Sequence, residues 1–110
     1  MCLITDGIGA LGLKDGVYTL GAQLTEVRGL RAVVAGTNIL CGAIGTLFNA
    51  VRNLHDWAGC SWVDAIQAAT LHPATALQIE KSKGSLSIGA DADFITIYLQ
   101  QFKLISTWIS

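Results

Sequence analysis

The segment Asp91–Leu99 constrains this chain most. Its residues alternate as in a β-strand, with Ala92, Phe94, Thr96 and Tyr98 on one side and Asp93, Ile95, Ile97 and Leu99 on the other. Both sets are mostly apolar, so the strand demands cover on two faces. A chain of 110 residues has room for one small domain at most. Small domains carry much surface per residue and usually need ample charge. Here only 14% of residues are charged and 52% are hydrophobic. A doubly covered strand in so apolar a chain points to a piece of a larger body, with faces meant for further chain.

Several function classes fall away. The formal net charge of −1 gives no reason to expect nucleic acid or an anionic membrane as partner. No apolar run approaches the roughly 20 residues that span a bilayer. The N-terminus lacks the basic start, apolar centre and small-residue cleavage site of a signal peptide. Cys2, Cys41 and Cys60 are odd in number and far apart, which makes neither a disulfide framework nor a C-x-x-C motif. Reduced thiols in the cytoplasm are the expectation. One proline and no low-complexity tract leave no sign of a linker or an internal repeat.

The periodicity divides the chain. Met1–Thr5 reads as a short buried strand. Lys14-Asp15-Gly16 is a turn, followed by strands at Val17–Leu20 and Gln23–Val27 and, past Arg28-Gly29, a third at Leu30–Ala35. From Ala43 the period becomes helical, with Ile44, Leu47, Phe48, Val51, Leu54 and Ala58 on one face. Gly59 suits a helix stop, and Ser61 with Asp64 approximates a capping box for the next helix. There Trp62, Ala65, Ile66 and Ala69 share a side. His72-Pro73 is expected to interrupt that helix, and Pro73 to open a short one over Ala74–Ile79. A final strand is expected over Lys103–Ile109.

The stretch Thr5-Asp6-Gly7-Ile8-Gly9-Ala10-Leu11-Gly12 contains G-x-G-x-x-G, the fingerprint of a dinucleotide-binding turn. That use needs a helix opening on the glycines. Leu13–Leu20 contains Asp-Gly, β-branched and aromatic residues and no amphipathic period. Without a helix N-terminus a pyrophosphate has little to hold it. The other use is a carboxylate, Asp6, at the C-terminal end of a strand, where (β/α)₈ barrels keep their catalytic groups. By spacing alone, Asp6 is equally a turn former.

The order of motifs along the chain weighs on that choice. Leu3-Ile4-Thr5-Asp6-Gly7, Gly16-Val17-Tyr18-Thr19-Leu20-Gly21, Ala35-Gly36-Thr37 and Leu40-Cys41-Gly42 come first. Ala50-Val51-Arg52-Asn53-Leu54 and Thr70-Leu71-His72-Pro73-Ala74 follow, then Lys83-Gly84-Ser85-Leu86 and Gly89-Ala90-Asp91-Ala92-Asp93-Phe94. This succession, over roughly residues 2–98, resembles the C-terminal third of the N-acetylglucosamine-6-phosphate deacetylase family of the amidohydrolase superfamily. The Lys-Gly … Gly-x-x-Ala-Asp segment fixes only the superfamily. The Thr-Asp-Gly start and the Val-Arg-Asn helix point to the deacetylases.

The resemblance implies an α/β fold: the C-terminal fragment of a metal-dependent (β/α)₈ barrel plus strands of a small β-sandwich. Residues 1–80 would supply the last barrel strand, a β-hairpin insertion and the following helices, and residues 81–110 the sandwich strands. It implies hydrolysis of the acetamide of N-acetylglucosamine 6-phosphate to glucosamine 6-phosphate and acetate, within amino-sugar catabolism. A divalent cation, zinc by likeness, would polarise the amide carbonyl and supply hydroxide. Its ligands, a Glu and two His in the family, match no position among these residues. Asp6 matches the catalytic Asp, which takes a proton from metal-bound water and gives it to the departing amine. Leu40, Cys41 and Gly42 match a segment lining the sugar site. Cys41 departs from the Ser or Ala usual there, which puts a hydroxyl contact in doubt.

The same likeness implies a homodimer and an isolated fragment that neither binds metal nor turns over. His55 reads as a packed or surface histidine and His72 as a capping one. Arg52 reads as solvated or ion-paired on its helix, and Asp91 and Asp93 as shaping the turn into their strand. Two alternatives stay open: another amidohydrolase, such as a cyclic-amide hydrolase, and a truncated, non-catalytic interaction module using the apolar faces of residues 44–58 and 91–99.

Overall fold

The computed structural model describes residues 1–110 and is a mixed α/β structure in two compact units. One unit is residues 4–50; the other joins residues 1–3 to residues 51–110.

In the first unit, β1 (Gly16–Leu20), β2 (Gln23–Arg28), β3 (Arg31–Val34) and β4 (Leu40–Gly42) form an antiparallel sheet in chain order. Two-residue turns at Gly21-Ala22 and Gly29-Leu30 set the register, pairing Leu20 with Gln23 and Arg28 with Arg31. One face of this sheet is closed. Val27 and Ala32 are buried there with Ala10 and Ile44, and Ile8, Tyr18, Leu20 and Cys41 pack against them. Burying a side chain such as Val27 stabilises by about 1.5–3 kcal/mol, which gives this small sheet its cohesion.

Two expectations change here. Met1–Thr5 forms no strand. A strand exists only through a ladder with a neighbour, and this run has none; its Leu3 N–H donates instead to the Ala68 carbonyl at 2.7 Å, within the second unit. Ile44, expected on a helix face, belongs to the sheet's core at 8% exposure. Its neighbour Ala43 is taken up in an isolated parallel bridge with Gly7, so the chain is still extended there. The helix starts after Thr46, whose hydroxyl oxygen accepts the Asn49 N–H at 3.2 Å.

Helix α1 (Leu47–Ala58) begins in the first unit and continues into the second. α2 (Trp62–Gln67) has Ser61 as its cap, accepting the Asp64 N–H at 3.1 Å. α3 spans Leu71–Ala76, three residues earlier than the expected Ala74–Ile79. Pro73 does not interrupt it, because it sits in the first turn, where the missing N–H has no intrahelical partner to lose. Gln78, at φ 60°, ends the helix: its N–H reaches the Thr75 carbonyl and the Ile79 N–H the Ala74 carbonyl.

β5 (Phe94–Tyr98) and β6 (Lys103–Trp108) form an antiparallel pair with a shift between Thr96 and Ile97. A single 3₁₀ turn, Leu99–Gln101, joins them. The double cover expected for this strand is absent within the chain: Phe94, Ile95 and Tyr98 are 38%, 44% and 46% exposed. Ile97 is half-buried, and a two-stranded ribbon cannot by itself cover both of its faces.

Candidate functional site

Asp6 stands in the first unit with its backbone at φ 44°, a left-handed conformation that Asp tolerates better than most residues. Its side chain is exposed. Directly after it the chain is pinned. Gly7 bridges in parallel to Ala43, and the Ile8 N–H donates to the Ala43 carbonyl at 3.0 Å. The turn carrying the acid and the end of β4 are therefore one piece of backbone structure.

Leu40, Cys41 and Gly42 make up β4. Leu40 is 60% exposed, so its side chain is free to meet something beyond this unit. Cys41 is half-buried, and its thiol reaches the hydroxyl of the buried Thr25 at 3.6 Å. That contact holds the thiol to the sheet, a packing role. Gly42 is a site of close approach: a Cβ there would collide with the Ile8 side chain. Sequence reading singled out Asp6 and Leu40–Gly42 separately. Ile8 and Ala43, which join them, it passed over, although Gly42 carried a signal of backbone contact.

The dinucleotide reading finds no support in the local structure. Residues 9–12 form turns, not a helix, and lead to β1. The histidines lie elsewhere, in the second unit. His55 Nδ1 is 2.7 Å from the Cys60 carbonyl, and its ring stacks on Trp62 at 3.7 Å. His72 Nδ1 is 3.0 Å from the Met1 carbonyl. A carbonyl only accepts, so each ring donates from Nδ1. His55 is thus packed, and His72 ties down the first residue of the chain, not a helix end.

Electrostatic coupling is concentrated away from Asp6. Asp91 and Asp93 both pair with Lys83, at 2.8 Å for Asp91. Asp93 also accepts the Ser110 N–H and hydroxyl, each at 2.9 Å. Lys83 first, then Ser110, holds the Asp93 carboxyl down at about 2. Arg28 grips both carboxylate oxygens of Glu26 at 2.7 Å and, with the Gly36 N–H, lowers its pKa. These pairs hold turns together. No group of three or more His, Cys, Asp or Glu side chains could hold a metal ion, and no helix is long and apolar enough to cross a membrane.

Comparison with known proteins agrees with this architecture. The chain is 52% identical over 97 residues to the N-acetylglucosamine-6-phosphate deacetylase of Homo sapiens, covering 88% of this chain and 24% of that one. It is 37% identical to the Bacillus subtilis deacetylase over 97 residues, with the same coverage. The chain thus spans about a quarter of the length of these relatives. Among solved structures, the Pasteurella multocida deacetylase matches with a TM-score of 0.85 at 21% identity, over 98% of this chain and 28% of that one, a likeness of fold. An aspartate-to-alanine variant of the Mycobacterium smegmatis deacetylase, in complex with N-acetyl-D-glucosamine-6-phosphate, matches with a TM-score of 0.80 at 30% identity, over 98% of this chain and 29% of that one. Amidohydrolases generally employ a divalent metal, and the residues present here do not form a site for it. The model of the amidohydrolase family matches residues 3–110, and the chain belongs to that family.

Proposed function

We propose that this chain is the C-terminal part of a deacetylase that hydrolyses the acetamide of N-acetylglucosamine 6-phosphate, giving glucosamine 6-phosphate and acetate. The observation that carries the reading is the junction of Asp6 with β4. A proton carrier and a segment suited to line a sugar site are fixed to each other by the Gly7–Ala43 bridge. The names of the relatives support the substrate, and a relative lacking one aspartate holds that substrate.

An amide resists water because amine is a poor leaving group. Asp6 supplies what is missing: it takes the proton of the attacking water and delivers it to the departing nitrogen. Its exposure leaves room for substrate. Leu40, Cys41 and Gly42 line the sugar, with exposed Leu40 against its apolar side and the strand backbone of Cys41 and Gly42 beside it.

Under this reading residues 1–80 belong to the C-terminal part of a (β/α)₈ barrel and residues 81–110 to a small β-sandwich. The enzyme is a cytoplasmic homodimer that takes zinc on ligands outside these residues, and residues 1–110 alone are inactive.

The test is deacetylation of N-acetylglucosamine 6-phosphate by the complete gene product containing these residues, with zinc supplied, as such and as Asp6→Asn. Turnover is expected, and Asp6→Asn should lose about 10²–10⁴-fold in kcat. An inert gene product sinks the reading and leaves a non-catalytic interaction module. Turnover of cyclic amides instead would move the assignment to another amidohydrolase, and near-normal Asp6→Asn would remove Asp6 as the proton carrier.

A further inference from the structure

We propose that Ile8 is a positioning residue that sets the register between the Asp6 carboxylate and the sugar-lining segment Leu40–Gly42. The inference rests on the deacetylase reading above. Ile8 is where the two meet. Its N–H donates to the Ala43 carbonyl at 3.0 Å. Its Cγ2 methyl occupies the space where residue 42 would otherwise carry a side chain, so Gly42 is the socket for that methyl. The rest of the side chain packs against the core of Ala10, Val27, Ala32 and Ile44.

Two residues upstream, Asp6 is held at φ 44°. A non-glycine residue is disfavoured in that region and keeps the conformation only while its surroundings impose it. The nearest imposed contacts are the Gly7 bridge and the Ile8 bond and socket. If the Cγ2 methyl leaves the socket, β4 and the Asp6 turn can slip, and the carboxylate moves away from the nitrogen it must protonate.

The shape of the contact gives the test. Ile8→Val keeps the Cγ2 methyl and loses volume. Ile8→Leu keeps the volume and moves the branch off Cβ, which empties the socket. Both swaps are mild enough for a packed core to fold. Each is made in the complete gene product and assayed on N-acetylglucosamine 6-phosphate and on the ester analogue with an acetate ester at the same carbon. The ester's alkoxide leaves with far less need of a proton than the amine, so it reports a proton carrier that has moved.

Ile8→Leu is expected to lower kcat on the amide by about tenfold, since misplacement by an ångström costs up to about 10²-fold, and on the ester by less than about threefold. Ile8→Val should keep the ratio of the two rates within about twofold of the parent. Equal losses on both substrates, or a leucine variant as good as the valine variant, overturn the proposal, because a side chain that only fills space gives those results. Asp6→Asn run alongside separates the failures. If it spares amide turnover, the deacetylase roles are wrong; if it abolishes turnover while the Ile8 variants leave the ratio unchanged, only the role of Ile8 is.

Discussion

Arg52 holds Phe102 from two sides: its Nη2 donates to the Phe102 carbonyl at 2.6 Å, and its guanidinium carbon lies 5.5 Å from the centre of the Phe102 ring. Phe102 is 3% exposed and stacks on Trp62 at 4.1 Å, and Trp62 stacks on His55. The turn between β5 and β6 is thereby clamped to α1 and α2. Arg52, which the sequence presents as a solvated or ion-paired helix residue, is spent on a backbone carbonyl.

The clamp carries an ordering of stabilities. Phe102 sits at φ 43°, where a bulky residue costs about 1–2 kcal/mol. Removing the ring should cost about 3–5 kcal/mol. Phe102→Gly escapes the backbone strain and Phe102→Ala does not. Urea denaturation should rank parent above Phe102→Gly and Phe102→Gly above Phe102→Ala. An alanine variant at or above the glycine variant would mean that position 102 bears no strain.

Arg52→Lys should fail to restore the clamp. A lysine can donate to the carbonyl but offers no plane to lie over the ring. Loss of a charge-assisted bond to a half-buried carbonyl is worth about 1.5–3 kcal/mol. Arg52→Lys should recover at most about half of what Arg52→Ala loses, as read by the thermal midpoint. Full recovery would leave the ring contact without energetic weight.

Much of the fold was legible because its signals are local. Asp-Gly and Arg-Gly turns bounded β1 to β3 within a residue or two, and Ser61 announced α2. What was missed depended on partners. Met1–Thr5 has the composition of a strand and no ladder to join. The end of α3 was hidden because Gln78 occupies the left-handed position that glycine normally marks. Leu40–Gly42 is three residues long, too short for any period to show, and is a strand only because β3 lies beside it. At the candidate site, Asp6 and the Leu40–Gly42 segment came from a pattern of motifs. Ile8 did not, because an isoleucine among glycines looks like filler until its methyl is seen against Gly42.

Gly84 should tolerate no side chain. It stands at φ 85°, and a Cβ would lie 2.8 Å from both the Ala74 Cβ and the Thr70 carbonyl oxygen. Gly89 makes the comparison: φ is 93° there, and nothing lies within 4 Å. Gly89→Ala should cost only the backbone term, about 1–2 kcal/mol. Gly84→Ala must also push α3 away and should cost at least about 2 kcal/mol more, in line with overpacking of a core. Comparable losses for the two variants would show that α3 yields freely.

Acid should loosen the start and end of the β5–β6 ribbon, through Asp93. Its carboxyl is held at about 2, first by Lys83 and then by the Ser110 N–H and hydroxyl, against an ordinary value of 3.8. A carboxyl with a lowered pKa binds its proton more readily in the unfolded chain. Its stabilisation is therefore complete above about pH 4 and is lost as the pH falls through about 2. Lys83, raised first by Asp91 and then by Asp93, stays charged throughout this range and does not shift the window. Asp93→Asn should flatten the dependence of stability on pH between about 4 and 2, and should speed hydrogen exchange at the Ser110 amide at neutral pH, where the parent protects it. The group is accessible to solvent, so high salt should weaken the effect. Unchanged acid dependence in Asp93→Asn, or equal exchange at Ser110 in both proteins, would mean that the Lys83–Asp93–Ser110 contacts do not hold the ribbon.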